Sequence, residues 1–195
     1  SNIITVTTAL DSYFEMADVP DYWAMSENKS SDKDICRTLE NASAIDEFRI
    51  EEFVRMSQSN ITRVGEPLND FSANQIFVLQ SDSDMGMNYF LDDENILKSV
   101  PKGEIYAARF IEENMGLKAG DKITVEIEGV SHEFTFAGSF KDAVCGTELI
   151  GIKRFIMNGE EFDEYMSDET MKNMYGGKCL YIHTANLDKT LSQIA

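Results

Sequence analysis

Three cysteines and two histidines are the residues of this chain with the strongest claim to nucleophilic or metal chemistry. Cys36, Cys145 and Cys179 are an odd number at wide, unrelated spacings, so they predict no disulfide framework; one bridge plus one free thiol is the alternative. Cys179 and His183 stand four apart, and a zinc site would have to add Cys145 and His132. No CxxC or HxxxH pair supports such a site, and Cys179 falls in a strand-like run, so buried thiols are the stronger reading. A hydrolase using Cys145 and one histidine has no supporting motif such as G-x-S-x-G. His132 is in phase with Phe134 and Phe136, and His183 ends a strand, which are structural positions.

Oxygen chemistry is more plentiful and less specific. Asp82-x-Asp84-x-Gly86-x-Asn88, with Asp92, Asp93 and Glu94 behind it, carries the hard donors a calcium loop needs. Its glycine is at the fifth position where an EF-hand requires it at the sixth, and the twelfth residue is Asp93 instead of glutamate. Residues 159–170 hold six acidic side chains and no basic one, the pattern of a solvated helix face. No two carboxylates are singled out for glycosidase chemistry. A Gly-rich phosphate loop and a Walker lysine are both lacking. The residues therefore name no catalytic, cofactor or metal site.

The elements that would position these groups are those of a mixed α/β domain. Ile3–Thr8 and Asp21–Met25, with the only tryptophan at Trp23, are predicted strands. Ser31 is placed to cap a helix bearing Ile35, Leu39 and Ala42 on one face. Phe48, Ile50, Val54 and Met56 predict a long strand with a bulge near Glu51-Glu52. Gln75–Gln80 predicts another strand, and residues 81–102 an acidic loop. The spacing of Ile105, Ala108, Ile111 and Met115 predicts an amphipathic helix over Glu104–Met115, stopped by a left-handed Gly116 with Leu117 packing back. Ile123, Val125 and Ile127 alternate with polar residues, turn at Gly129 and return through His132, Phe134, Phe136 and Gly138 as a hairpin. Leu149–Met157 is a further strand, and Asn158 with Glu161 caps a helix carrying Phe162, Tyr165 and Met166. Gly176-Gly177 precedes a strand over Cys179–His183, and Asn186 caps a last helix with Leu187, Leu191 and Ile194 on one face.

Composition limits the partners. The 195 residues carry 17 basic and 35 acidic side chains, a formal charge of −18, with a mean hydropathy of −0.28. That balance excludes nucleic acid, whose phosphates need a basic footprint, and electrostatic docking on anionic lipid. No apolar run approaches the roughly 18 residues of a bilayer span, and no signal peptide is recognisable. Ser1-Asn2 has the form of a protease-site remnant, which predicts a piece of a longer chain.

One stretch carries a resemblance. Gly103-Glu104-Ile105-Tyr106-Ala107-Ala108-Arg109-Phe110, continued by Met115-Gly116-Leu117-Lys118-Ala119-Gly120-Asp121-Lys122-Ile123-Thr124-Val125, resembles the "GE-(strand)-(helix)-LGLKxGDxITV" segment of the extracytoplasmic domain in MacB/FtsX-type ABC transporter permeases. Phe134 to Gly138 is similar to that family's "F-x-V-x-G" return strand, and Ile156-Met157 with Phe162 to its "(apolar)-M-s-x-x-x-F" stretch. The match spans about residues 103–165; a Gly-Asp turn into an alternating strand is otherwise a general solution. The resemblance implies a two-lobed α+β domain, with residues 3–80 and 178–195 forming a β-α-β lobe and residues 81–177 an inserted, smaller α+β lobe. It implies flanking transmembrane helices, a separate ATP-binding subunit or domain, a place on the extracytoplasmic face of the membrane and no enzyme activity in this chain. An extracellular peptide, lipoprotein or accessory protein is the implied partner, with no cofactor and no nucleic acid. The alternative is a stand-alone acidic secreted module that binds calcium or a cationic peptide.

Overall fold

The computed structural model describes residues 4–6, 17–27, 32–63, 66–67, 75–80, 85–145 and 152–195. Its strands are β1 (Ile4–Val6), β2 (Tyr22–Glu27), β3 (Glu47–Met56), β4 (Ile61–Arg63), β5 (Glu66–Pro67), β6 (Gln75–Gln80), β7 (Glu104–Ala108), β8 (Lys122–Ile127), β9 (Val130–Phe140), β10 (Ile152–Met157) and β11 (Gly176–His183). They make one mixed sheet in the order β1-β2-β11-β3-β6-β10-β7-β9-β8-β4-β5. The β6–β10 and β7–β9 pairs are parallel. Five α-helices among the described residues complete it: α1 (Asp32–Glu40), α2 (Arg109–Met115), α3 (Gly159–Met166), α4 (Glu169–Tyr175) and α5 (Leu187–Ile194). The chain is thus of the mixed α/β, α+β class.

Cross-strand partners share a face, so the register sorts the core. Val54, Val78 and Phe155 lie on one face, and Phe53, Leu79 and Ile156 on the other. On the first face α1 and α5 cover Tyr22, Ala24, Phe48, Ile50 and Ile182 at one end of the sheet. The same face meets α3 and α4 beyond β10, where Phe134 and Met157 face Tyr165 and Met171. Long loops cover the second face: Met87, Tyr89, Leu97 and Val100, with Val144 and Cys145, are as buried as the strands beneath them. Phe53 and Phe77 stack there with centroids 4.0 Å apart. Covered on both sides, β10 is buried at every position, Lys153 and Arg154 included, and so loses the alternation of a half-exposed strand.

Local expectations hold where local chemistry decides. Gly116 takes φ 64° and ψ 32° as the left-handed terminator of α2, and Leu117 folds back to 5% exposure. The Asn158 side chain accepts from the Glu161 N–H at 3.1 Å, and that of Asn186 from the Lys189 N–H at 3.0 Å. The hairpin β8–β9 pairs from Lys122–Thr135 to Ile127–Val130.

Four expectations are corrected. Glu104–Met115 is not one helix: Glu104–Ala108 is β7, and only Arg109–Met115 is helical. Strand pairing overrides the helical spacing, because β7 fills the gap between β10 and β9 and hydrogen-bonds on both sides. No bulge occurs at Glu51-Glu52, since the β3–β11 register is unbroken from Gly176–Val54 to His183–Glu47. The irregularity lies instead between Ile105 and Tyr106, whose partners are Phe136 and Gly138. Residues 159–170 do not form one helix either: Asp168 caps a separate α4 by accepting from the Met171 N–H at 3.0 Å. The last strand then begins at Gly176, earlier than Cys179. A Cβ on Gly177 would lie 2.3 Å from the Phe53 ring, so glycine is what lets the two strands close.

The sheet runs without a break across the expected lobe boundary, from β6 at Gln75–Gln80 to β10 at Ile152–Met157. β4, from the first 80 residues, pairs with β8 of the hairpin and so lies at the far end from β2 and β11.

Candidate functional site

The densest chemistry is a buried cluster on the loop-covered face. β3 supplies Glu51, β10 Arg154 and β11 Tyr181; residues 86–89 add Gly86, Met87 and Tyr89, and the turn after β9 adds Asp142. The Arg154 guanidinium forks onto Asp142, with Nε to Oδ2 at 2.6 Å and Nη2 to Oδ1 at 2.5 Å. Its Nη1 donates to the Tyr181 hydroxyl at 2.5 Å and stands 4.0 Å from Glu51 Oε1. Glu51 in turn accepts from the Tyr181 hydroxyl, from the Tyr89 hydroxyl at 3.0 Å and from the Gly86 N–H at 2.5 Å. Asp142 Oδ1 also takes the N–H groups of Val144 at 3.0 Å and Cys145 at 2.8 Å. Beside the cluster, the Lys153 ammonium donates to the Cys145 carbonyl at 2.8 Å and sits 4.5 Å from the Phe110 ring centroid.

The two carboxylates of the cluster are shifted in opposite directions, although burial acts on both alike. Burial pushes Glu51 above the ordinary carboxylate value, outweighing Arg154 and its three hydrogen-bond donors. Burial acts the same way on Asp142, but the Arg154 charge and fork, with two backbone N–H groups, carry it below the ordinary value. Every charged group here is buried and has a partner within the protein. The arrangement can pin the two covering loops to the sheet; it offers no open face to a substrate.

The residues singled out in the sequence do not converge. His132 is on β9 against the Tyr165 ring, and His183 ends β11 beside Asp18, with five strand steps between them in the sheet order. Cys179 and His183 share a face of β11 but are four residues apart, about 13 Å at about 3.3 Å per residue, which no zinc ion spans. Among the described residues no group of three potential metal ligands assembles. Of the acidic loop, Asp82 and Asp84 lie outside the described residues. Gly86 turns inward to Glu51, and Asp92 accepts from the N–H groups of Glu94 and Asn95, both at 2.8 Å. Of the acidic segment 159–170, Glu160 pairs with Lys102 at 2.6 Å on the surface.

No protein-family model matches the chain, and no curated protein matches it. The site therefore has to be judged on its own geometry. Cys145 is 1% exposed, and burial pushes its thiol up to about 12, with Cys179 also raised well above the usual value. Neither thiol is a nucleophile at neutral pH. The expected result with an aromatic disulfide reagent is one fast-reacting thiol, Cys36, and two more only in denaturant. Rapid native labelling of Cys145 would contradict its burial.

Asp142 and Arg154 were not singled out by motif or spacing, and Glu51 only as the expected place of a bulge. Their one sequence signal is Lys153-Arg154, two adjacent cations inside an apolar strand of a strongly acidic chain.

Proposed function

We propose that this chain is a non-catalytic extracytoplasmic domain of a MacB/FtsX-type ABC transporter permease. In that role it couples ATP hydrolysis on a separate subunit or domain to the handling of a substrate or partner outside the membrane, in export of peptides, lipoproteins or antimicrobials. The observation that carries the reading is the order of elements over Glu104–Met115. Hydrophobic spacing alone favours a helix throughout, whereas the family pattern has a strand and then a helix, and β7 followed by α2 has that order. The motif's glycine terminator, its Gly-Asp turn and its alternating strand follow in place as Gly116, Gly120-Asp121 and β8.

The positions of the outer elements are compatible with insertion between membrane helices. β1 pairs with β2, β2 with β11, and α5 packs back on Tyr22, Ala24 and Ile182, so both outer elements meet on one strand pair. Among the described residues no helix is long and apolar enough to cross a membrane.

The gene tests the proposal. The expected finding is an apolar segment of about 20 residues on each side of this chain in the encoded protein. A reporter enzyme active only outside the cytoplasm, fused within the domain, is expected to be active. An encoded protein without any membrane segment, or a reporter active only in the cytoplasm, would sink the assignment and favour the stand-alone acidic module.

A further inference from the structure

Between the β8–β9 hairpin and helices α3 and α4 runs a groove of about 400 Å³, within the range of about 300–1,000 Å³ common to ligand clefts. Its floor is apolar: Phe134, Met157, Tyr165 and Met171. Glu133, Glu161, Glu164 and Asp168 also line it, and among the described residues no lysine or arginine does.

Two further observations converge on this place. Val130 and Met174 are the large hydrophobic side chains left most open among the described residues, each 53% exposed. Val130 lines the groove, and Met174 lies on α4, one helical turn beyond Met171. Glu161 is only half satisfied as well. Its Oε1 accepts from the Gly103 N–H at 2.7 Å, but its Oε2 is buried with no donor among the described residues. A buried carboxylate oxygen without a donor carries an uncompensated desolvation cost, which favours the side chain turning toward a donor that arrives beside it.

We propose that this groove is a docking surface for a basic, amphipathic peptide segment of a partner. Its apolar side chains would cover Phe134, Tyr165 and the methionines, and its lysine or arginine side chains would meet the acidic rim, one of them near Glu161. Methionine and tyrosine are the adaptable and anchoring residues of such surfaces. Charge decides against the other occupants. A second copy of this chain brings another −18, and an acidic peptide or nucleic acid meets a rim of four carboxylates with no lysine or arginine among the described residues. This surface does not depend on the permease assignment and would stand or fall without it.

The test is a titration of the chain with a blocked peptide, Lys-Leu-Lys-Phe-Lys-Leu, followed through methionine methyl signals. Binding is expected to shift Met157 and Met171, and to weaken as salt rises. The Glu133→Lys/Glu164→Lys variant changes two exposed rim side chains and is expected to keep the melting temperature while losing about tenfold in affinity. Replacing the peptide's leucine and phenylalanine by serine is expected to remove most of the binding. The proposal is overturned by an absence of binding, by unchanged affinity in the double variant, or by methyl shifts confined to other methionines. Equal binding of the serine peptide would also overturn it, because that reports diffuse attraction to the net charge.

Discussion

Asp142→Asn is expected to cost about 3–5 kcal/mol of folding stability, the range seen when one partner of a buried ion pair is removed. The Asp142 side chain is fully buried and Arg154 nearly so. Asparagine keeps the shape and one acceptor, so the loss reports an Arg154 charge left without its counter-ion. Adding Arg154→Met should recover part of that loss, because the uncompensated charge goes with it. Denaturant unfolding of the wild type, the single and the double variant measures both quantities. A double variant less stable than Asp142→Asn would show that the guanidinium contributes chiefly through Tyr181 and Glu51.

The pH dependence of this variant follows from the shifts. Asp142 is held below its ordinary 3.8 in the fold, so its stabilisation is present above that value and lost as pH falls through the lower folded value. The gap between wild type and Asp142→Asn should therefore be full at neutral pH and narrow only in strong acid. Glu51 has the opposite sign. Its folded value lies above 4.5, so its contribution is present below 4.5 and lost as pH rises through the folded value. Glu51→Gln should accordingly be milder at neutral pH than Asp142→Asn. If Glu51→Gln proves the more damaging, burial is not what governs Glu51.

Gly86→Ala is the second large effect, about 3 kcal/mol from overpacking and a displaced hydrogen bond. A Cβ at this position would stand 2.2 Å from two atoms of the Tyr181 ring. Backbone approach is needed there because the Gly86 N–H donates to Glu51 at 2.5 Å. Moving the loop away to relieve the clash breaks that bond and loosens Tyr89, whose hydroxyl binds the same carboxylate. A thermal melt overlapping that of the wild type would refute the close approach.

Both variants act on a cluster that joins residues far apart in the chain. Glu51 and Tyr181 are 130 positions apart, and Glu51 and Tyr89 38. No local pattern announces such a partnership, and Glu51 in β3 instead suggested a bulge that the register lacks. The reason is that β10 and most of β11 are covered on both faces, and β3 is covered at Glu51, so the polar residues there point into protein where a half-exposed strand would point them to water. Glu104–Ala108 illustrates the same limit. Its apolar spacing suits helix and strand alike, and the vacancy between β10 and β9 decides.

What the sequence determined by itself was whatever short-range chemistry controls. The Gly116 terminator, the Asn158 and Asn186 caps, the Gly129 hairpin turn and the apolar alternation of Ile123 to Ile127 all depend on neighbours within a few residues. The acidic balance was likewise plain. Tertiary structure alone decided where that charge acts. It buried Glu51 and Asp142 around Arg154, spread Cys179, His132 and His183 too far apart for one metal, and gathered Glu133, Glu161, Glu164 and Asp168 around an apolar groove. Strand order sets those distances, and strand order arises from long-range pairing that no local window contains.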